Sequence, residues 1–423
     1  MKIKIKDLFW YAYFIIIALP LHQSNGLIRY LSITGMISVF HVIMILLTIY
    51  YLTHGGISKN NKCLNLVIIL FLISIVLGVI MGVVNGNQIN NILGDGGMYL
   101  LALMILVCAS AKNVRQKNIH EFLSLTYKAS SIMLIICVAM YITRDLSFWK
   151  MISFNEGRYF GGFLSILIVT LPYGLYNYIH LKKISLWSLC CHVILGFFCM
   201  IVAQSRATII SSVLGMMFVL YFGNRKITVR NIIQVVLFSI VALFGLSFFM
   251  RSSFDIVGRI LSTDFSNRSE TIYARFYLYQ YYIKQIFENP FGKGFGSIMY
   301  FLTPQLTLMT DTGTYTIDAV LMAAGYKSGW LLFSVFAFSI FFQIVTMIKL
   351  YRNKHDKVYL IMLIAQSLFI ASTGLITAQI IHTYTPLVYF WTFMGVCASK
   401  STTLTGKSAR SDSLYDGSYK KSN

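Results

Sequence analysis

Gln204-Ser205-Arg206-Ala207-Thr208 joins two long apolar runs through a very tight turn. Arg206 falls at the N-terminus of the run 207–222, where a helix presents unpaired amides and the positive end of its dipole. A cation is unfavourable there unless an anion joins it. A guanidinium fork beside free amides, with Ser205 adjacent, suits a phosphate or diphosphate; the other reading is an arginine that snorkels to lipid headgroups. Arg158, after Asn155-Glu156-Gly157, opens the run 159–179 in the same manner. Arg275 lies on an amphipathic stretch beside Phe276 and Tyr279. Phe291-Gly292-Lys293-Gly294-Phe295-Gly296 follows Asn289-Pro290, and its alternating glycines either let amides approach a ligand or simply make turns. P-loop spacing is absent. Asp318 stands about two to three turns before the run 329–348, on what reads as one continuous helix. Its carboxylate is suited to act as a general base or to orient an acceptor hydroxyl, unless it only complements a helix dipole. His382, in a very short turn, is a further candidate base. Lys327 reads as an interfacial anchor, and Asp95 lies near the outer end of the run 92–110. There is no HExxH, no two-histidine-carboxylate pattern and no Cys/His spacing, so neither a metal nor a cofactor is expected.

Composition dictates the elements that must position these residues. The chain of 423 residues is 57% hydrophobic and 12% charged, against ~25% charged in a soluble domain. Lipid is therefore its solvent, and membrane lipids are its constant partners. A net charge of +21 would suggest nucleic acid in a soluble protein. Here the cations fall in short clusters between apolar runs, which makes them topology signals and excludes a nucleic-acid partner. About twenty apolar residues span a bilayer, and only helices satisfy the backbone within it. Such runs lie at 8–21, 33–53, 64–84, 92–110, 129–143, 159–179, 186–203, 207–222, 232–249, 329–348, 358–379 and 384–398. The expected fold is all-α, a polytopic membrane protein with about twelve transmembrane helices.

Lys and Arg alternate in density from turn to turn, which places both termini in the cytoplasm. The basic start, Lys2, Lys4 and Lys6, precedes an uncleaved first helix, because no small-residue cleavage site follows. Residues 1–398 read as one transmembrane domain. Within it, 250–328 form a long structured periplasmic loop. Asn267 and Glu270 have capping-box spacing there, and an amphipathic helix is expected near 268–288. Its stripe of Ile272, Phe276, Tyr279, Ile283 and Phe287 should face the membrane domain. Residues 399–423, rich in Ser, Thr, Gly and Lys, read as a disordered cytoplasmic tail. The seven cysteines lie in apolar runs or beside cytoplasmic loops, so no disulfide is expected.

These features, in this order, resemble the O-antigen ligase and polymerase family of integral-membrane glycosyltransferases. Ser205-Arg206-Ala207-Thr208 looks like that family's Ser-Arg motif. Arg275 through Asn289-Pro290-Phe291-Gly292-Lys293-Gly294-Phe295-Gly296 looks like its external Arg…Asn-Pro-aromatic-Gly-x-Gly-x-Gly signature. Arg158 before Gly161-Gly162 resembles an upstream Arg-x-x-Gly pattern, and Asp318…Gly325…Gly329 is similar to the helix that follows. One departure is informative: ligases of the family carry a histidine, often His-Asn, where this chain has Asp318-Ala319.

The resemblance implies a metal-independent enzyme of the inner membrane with its site facing the periplasm. It would polymerise lipid-linked repeat units of O-antigen or capsule, moving glycan from undecaprenyl diphosphate to the next lipid-linked repeat. Arg206 and Arg275 would hold the diphosphate with help from Arg158, and Asp318 would serve the acceptor. Ser205, Gly292, Gly294, Gly296 and His382 would line the substrate. A chain-length regulator and a flippase of the same lipopolysaccharide or polysaccharide pathway are the implied protein partners. The alternatives are a ligase delivering finished glycan to lipid A-core, and a lipid-linked oligosaccharide flippase or transporter.

Overall fold

The computed structural model describes residues 5–20, 38–54, 62–112, 114, 116–143, 153–154, 158–159, 162–203, 205–223, 278–300, 320–376 and 383–415. Among these residues there are twelve helices. They are α1 (Leu8–Ala18), α2 (Val39–His54), α3 (Lys62–Val84), α4 (Ile89–Ser110), α5 (Ile119–Ile142) and α6 (Gly162–Leu181, which passes from a 3-10 turn through α-helix to a π turn). There follow α7 (Leu186–Val202), α8 (Arg206–Gly223), α9 (278–288), α10 (Val320–Lys354), α11 (Lys357–Ile370, extended by a π turn over Ala371–Ile376) and α12 (Tyr384–Tyr415). The described strand pairing is a two-residue antiparallel ladder, Ser153–Phe154 with Arg158–Tyr159.

Six of these helices, α3, α4, α5, α6, α10 and α11, are long and apolar enough to cross a membrane. Helices α1, α2, α7 and α8 are shorter apolar helices, and the expected span 232–249 lies outside the described residues. Leu66, Ile69, Ile73, Ile80 and Val83 are exposed along α3. A soluble monomer does not tolerate so long an apolar ridge, whereas lipid covers it at no cost. Helix α12 is the inner strut. It packs on α1, α4, α10 and the first turn of α6, and Leu387, Val388, Tyr389, Phe390 and Trp391 are all buried. A helix apolar on every side belongs inside.

Polar side chains join the helices across this interior. Gln366 of α11 donates to the Gln343 side-chain oxygen of α10 at 2.7 Å and accepts from the Tyr389 hydroxyl of α12 at 2.9 Å. In hydrocarbon such groups bond to one another because water is absent.

Helix starts are fixed by caps. The Asn118 side chain accepts from the Glu121 amide at 2.8 Å and donates to the Glu121 carboxylate at 2.7 Å. This reciprocal cap starts α5 at Ile119 rather than at 129, so Lys128 belongs to the helix and not to the turn before it. At the other end of the chain, α12 continues to Tyr415 through residues that composition assigned to a disordered tail. That stretch has no proline and a single glycine, Gly406, to interrupt it.

Candidate active site

The glycine run and its surroundings form the best-defined assembly at the loop end of the bundle, where α4 and α10 begin. Asn289-Pro290 ends α9, and the chain from Gly292 to Gly296 then lies across α3, α4 and α10. Each amide in this stretch has a protein acceptor. The Gly292 amide bonds to Asn289 O, Lys293 to Tyr326 O, Gly294 to Lys327 O and Phe295 to Gly78 O, at 2.7–2.9 Å. The Gly296 amide bonds to Asp95 Oδ2 at 2.7 Å. Asn87 clasps the same stretch from the side, donating to Lys293 O and Phe295 O at 3.1 and 2.9 Å.

Glycine is demanded here by close approach. Gly292, Gly294 and Gly296 all have positive φ, and a Cβ on any of them would strike neighbouring backbone. On α3, Gly78 and Gly82 face the loop, and a Cβ on Gly78 would lie 2.7 Å from the Phe295 ring. That ring is fully buried and stacks on Tyr99, with centroids 5.0 Å apart. The glycines expected to cradle a substrate are therefore docking positions. An anion has no free amide to take between Gly292 and Gly296.

Beneath the loop is an ion pair that sequence reasoning did not assemble. Lys327 Nζ donates to both Asp95 oxygens at 2.6 Å, with the side chains 1% and 9% exposed. Lys327 is thus no interfacial anchor. Its signal was present: one acid and one base, each beside glycines, at the loop ends of two different spans. An intramembrane charge without a counter-ion is costly enough to look for one.

Immediately after Lys327 the helix breaks. Ser328 (φ −132) and Gly329 (φ 67) leave helical geometry, and the Trp330 amide bonds to Pro290 O at 3.0 Å. So 320–327 and 330–354 are two segments joined by a kink, not the single helix expected to carry Asp318 upward.

Helix α9 also faces a different way from the expected stripe. Leu278, Tyr282 and Ile286 are buried, while Ile283 and Phe287 are exposed. Tyr282 meets Tyr326 edge-on with centroids 5.0 Å apart, and a Cβ on Gly325 would lie 2.6 Å from Ile286. The buried i, i+4, i+8 row is one residue out of phase with Tyr279, Ile283 and Phe287, since Gly325 leaves room for Ile286; Phe287, though exposed, still meets Trp330 edge-on with ring centroids 4.7 Å apart.

Of the arginines, Arg206 is the first residue of α8. Ser205 precedes it. Its carbonyl accepts from the Ile209 amide at 3.0 Å, and its hydroxyl lies 2.7 Å from that of Thr208. Arg158 is in the two-residue strand and pairs with Phe154, so it does not open a helix as Arg206 does; α6 starts later, at Gly162, with a 3-10 turn. That first turn of α6 touches the π turn 371–376, which also touches α8 and α10. Arg275, Asp318 and His382 lie outside the described residues. Among the described residues no cluster of His, Cys, Asp and Glu is arranged to hold a metal ion.

No curated protein matches the chain. Residues 191–337, from α7 through α8 and the glycine loop into α10, match the family described as O-antigen ligase, which is consistent with the resemblance carried by the motifs.

Proposed function

We propose that the chain polymerises lipid-linked repeat units of O-antigen or capsule at the periplasmic face of a bacterial inner membrane. The observation that carries this reading is Arg206 at the start of α8, inside the segment that matches the family. A guanidinium and unpaired amides at one helix start suit an anion that gains charge during reaction. Counting crossings from α4 to α8 returns Arg206 to the end of the bundle where the glycine loop docks. The Lys/Arg alternation makes that end the outer one.

In the proposed reaction an acceptor sugar hydroxyl on the incoming lipid-linked repeat attacks the anomeric carbon of the donor glycan. The bond from that carbon to the diphosphate oxygen breaks, and its electron pair stays on undecaprenyl diphosphate. Arg206 and Arg275 hold the diphosphate as its charge grows, Arg158 assists, and Asp318 accepts or directs the hydroxyl proton. His382 and Ser205 line the substrate. The docked glycine loop frames this site and does not bind the anion itself.

The test is Arg206→Ala and Arg275→Ala in cells that make long-chain glycan. With membrane levels of protein unchanged, both variants should leave single repeats only. A normal chain-length ladder in either would sink the assignment. The family description is equally compatible with a second reading, a ligase that delivers finished glycan to lipid A-core. A deletion strain separates the two, since polymerase loss leaves one repeat on the acceptor and ligase loss leaves glycan on its carrier. Asp318-Ala319, in place of the ligase histidine, inclines the reading to polymerase.

A further inference from the structure

We propose that Asp95 and Lys327 are positioning residues of the transfer reaction, a buried latch that holds the arm 278–300 on the bundle in one register. The reaction is that of the reading above; the latch itself rests on geometry alone.

Three elements meet at one carboxylate. Asp95 belongs to α4, Lys327 to the short first segment of α10, and Gly296 to the arm. Asp95 accepts from the ammonium at 2.6 Å and from the Gly296 amide at 2.7 Å. The kink at Ser328–Gly329 contributes the other half of the grip. It frees the Lys327 carbonyl from helix bonding, and that carbonyl accepts from the Gly294 amide at 2.9 Å. Lys327 therefore holds the arm through its main chain and, by way of Asp95, through its side chain. Tyr282 and Ile286 of α9 rest on Tyr326 and Gly325, the two residues before it. A shift at Lys327 would move the arm and the start of α10 together. These are the described stretches closest in sequence to Arg275 and Asp318, which lie three residues before 278 and two before 320.

An apolar pair could fill this space without the cost of burying two charges. What apolar side chains cannot do is accept the Gly296 amide, and that bond selects a single docking of the loop. Asp95 is thus distinguished from a mere counter-ion by having two partners on two elements.

The experiment uses the full chain in right-side-out membrane vesicles with two double variants. D95L/K327M removes both charges and the acceptor of the Gly296 amide. D95K/K327D keeps a charge pair but presents an ammonium to the Gly296 amide. Trypsin is added from outside and cutting after Lys293 is followed by mass spectrometry, while turnover and KM are measured with a synthetic lipid-diphosphate repeat. Both variants should accumulate as the unaltered protein does, be cut about tenfold faster or more, and lose roughly tenfold to a hundredfold in turnover with KM unchanged. Unaltered cutting and turnover in either variant would overturn the latch. Faster cutting with unaltered turnover would overturn the positioning role. Failure of both variants to accumulate would also overturn it, by making the pair a requirement of folding rather than of register. The glycosyl-transfer reading fails separately, on a normal ladder from Arg206→Ala, and the cutting result does not depend on it.

Discussion

Replacing Gly294 by alanine tests the docking of the loop most sharply. Gly294 has φ +84, and a Cβ there would fall on the backbone of Met81 and Gly82 in α3. A helix backbone cannot swing aside as the tip of a side chain can. Two costs add. A left-handed conformation costs a non-glycine residue ~1–2 kcal/mol. Forcing a methyl group into filled space costs a further ~1–3 kcal/mol. The total is about 2–5 kcal/mol. Gly86 supplies the control, because it has φ +70 but nothing within 4 Å of its would-be Cβ. Gly86→Ala therefore carries only the first cost, ~1–2 kcal/mol. Both variants would be purified in detergent, heated, and followed by loss of the monodisperse peak on size exclusion. Gly294→Ala should lie below Gly86→Ala by about 1–3 kcal/mol. Equal midpoints would refute the close approach of loop and helix.

Three further outcomes are expected. Gln366→Leu removes two buried bonds, to Gln343 and from Tyr389, at about 0.6 kcal/mol each in a membrane. Tyr389→Phe removes one of them, so its thermal midpoint should fall by about half as much; a larger fall for Tyr389→Phe would contradict the network. Asp356 caps α11 through the Val358 amide at 3.0 Å and meets His120 at 3.1 Å. Burial pushes its carboxyl up, but the Val358 amide and then His120 outweigh this and hold it below the ordinary carboxylate value. A depressed folded value adds stability above the unfolded value and forfeits it as pH falls through the folded one, so the Asp356 contribution should persist to about pH 4 and fade below. Asp356→Ala should cost about 1 kcal/mol as a lost cap at neutral pH, whereas Asp356→Asn keeps the cap and loses only the acid-sensitive part, both read from midpoints across pH. Arg206→Lys should retain partial polymer length where Arg206→Ala retains none, because an ammonium supplies charge without the bidentate fork; equal ladders would argue against direct diphosphate contact.

How legible all this was depended on which force set each feature. Apolar run length is a direct consequence of bilayer thickness, so α3, α4, α5, α6, α10 and α11 could be found by counting. The Ser205–Arg206 turn was equally plain, since few residues separate two long runs. Helix boundaries set by side-chain caps were less visible: Asn118 and Glu121 extend α5 beyond its apolar stretch, where hydropathy says nothing. The glycine run was recognised, but its purpose was not. A positive φ can serve a ligand or a neighbouring backbone, and only the positions of Gly78, Gly82 and Gly329 decide between them. The phase of α9 failed for a related reason. Its hydrophobic residues lie on two adjacent rows, and the gap left by Gly325 selects the row with Ile286.

The Asp95–Lys327 pair illustrates why a membrane chain retains charges that an apolar pair could replace. Each ionised group at mid-bilayer costs about 2.5–3.5 kcal/mol on insertion scales, less towards the helix end. Mutual attraction returns much of this, yet well-packed apolar substitutes are often as stable or more so. Stability alone is therefore a weak reason for the pair. Direction is a better one. Hydrophobic packing alone discriminates poorly between Phe291 and Phe295 as the ring that enters the groove, because the two are equal in hydrophobicity. A carboxylate that must receive both Lys327 and the Gly296 amide admits one register, in which Phe295 stacks on Tyr99 and Phe291 stays outside. The charge is spent on uniqueness of docking, and the chemistry proposed at Arg206 needs that uniqueness because transition-state contacts tolerate little displacement.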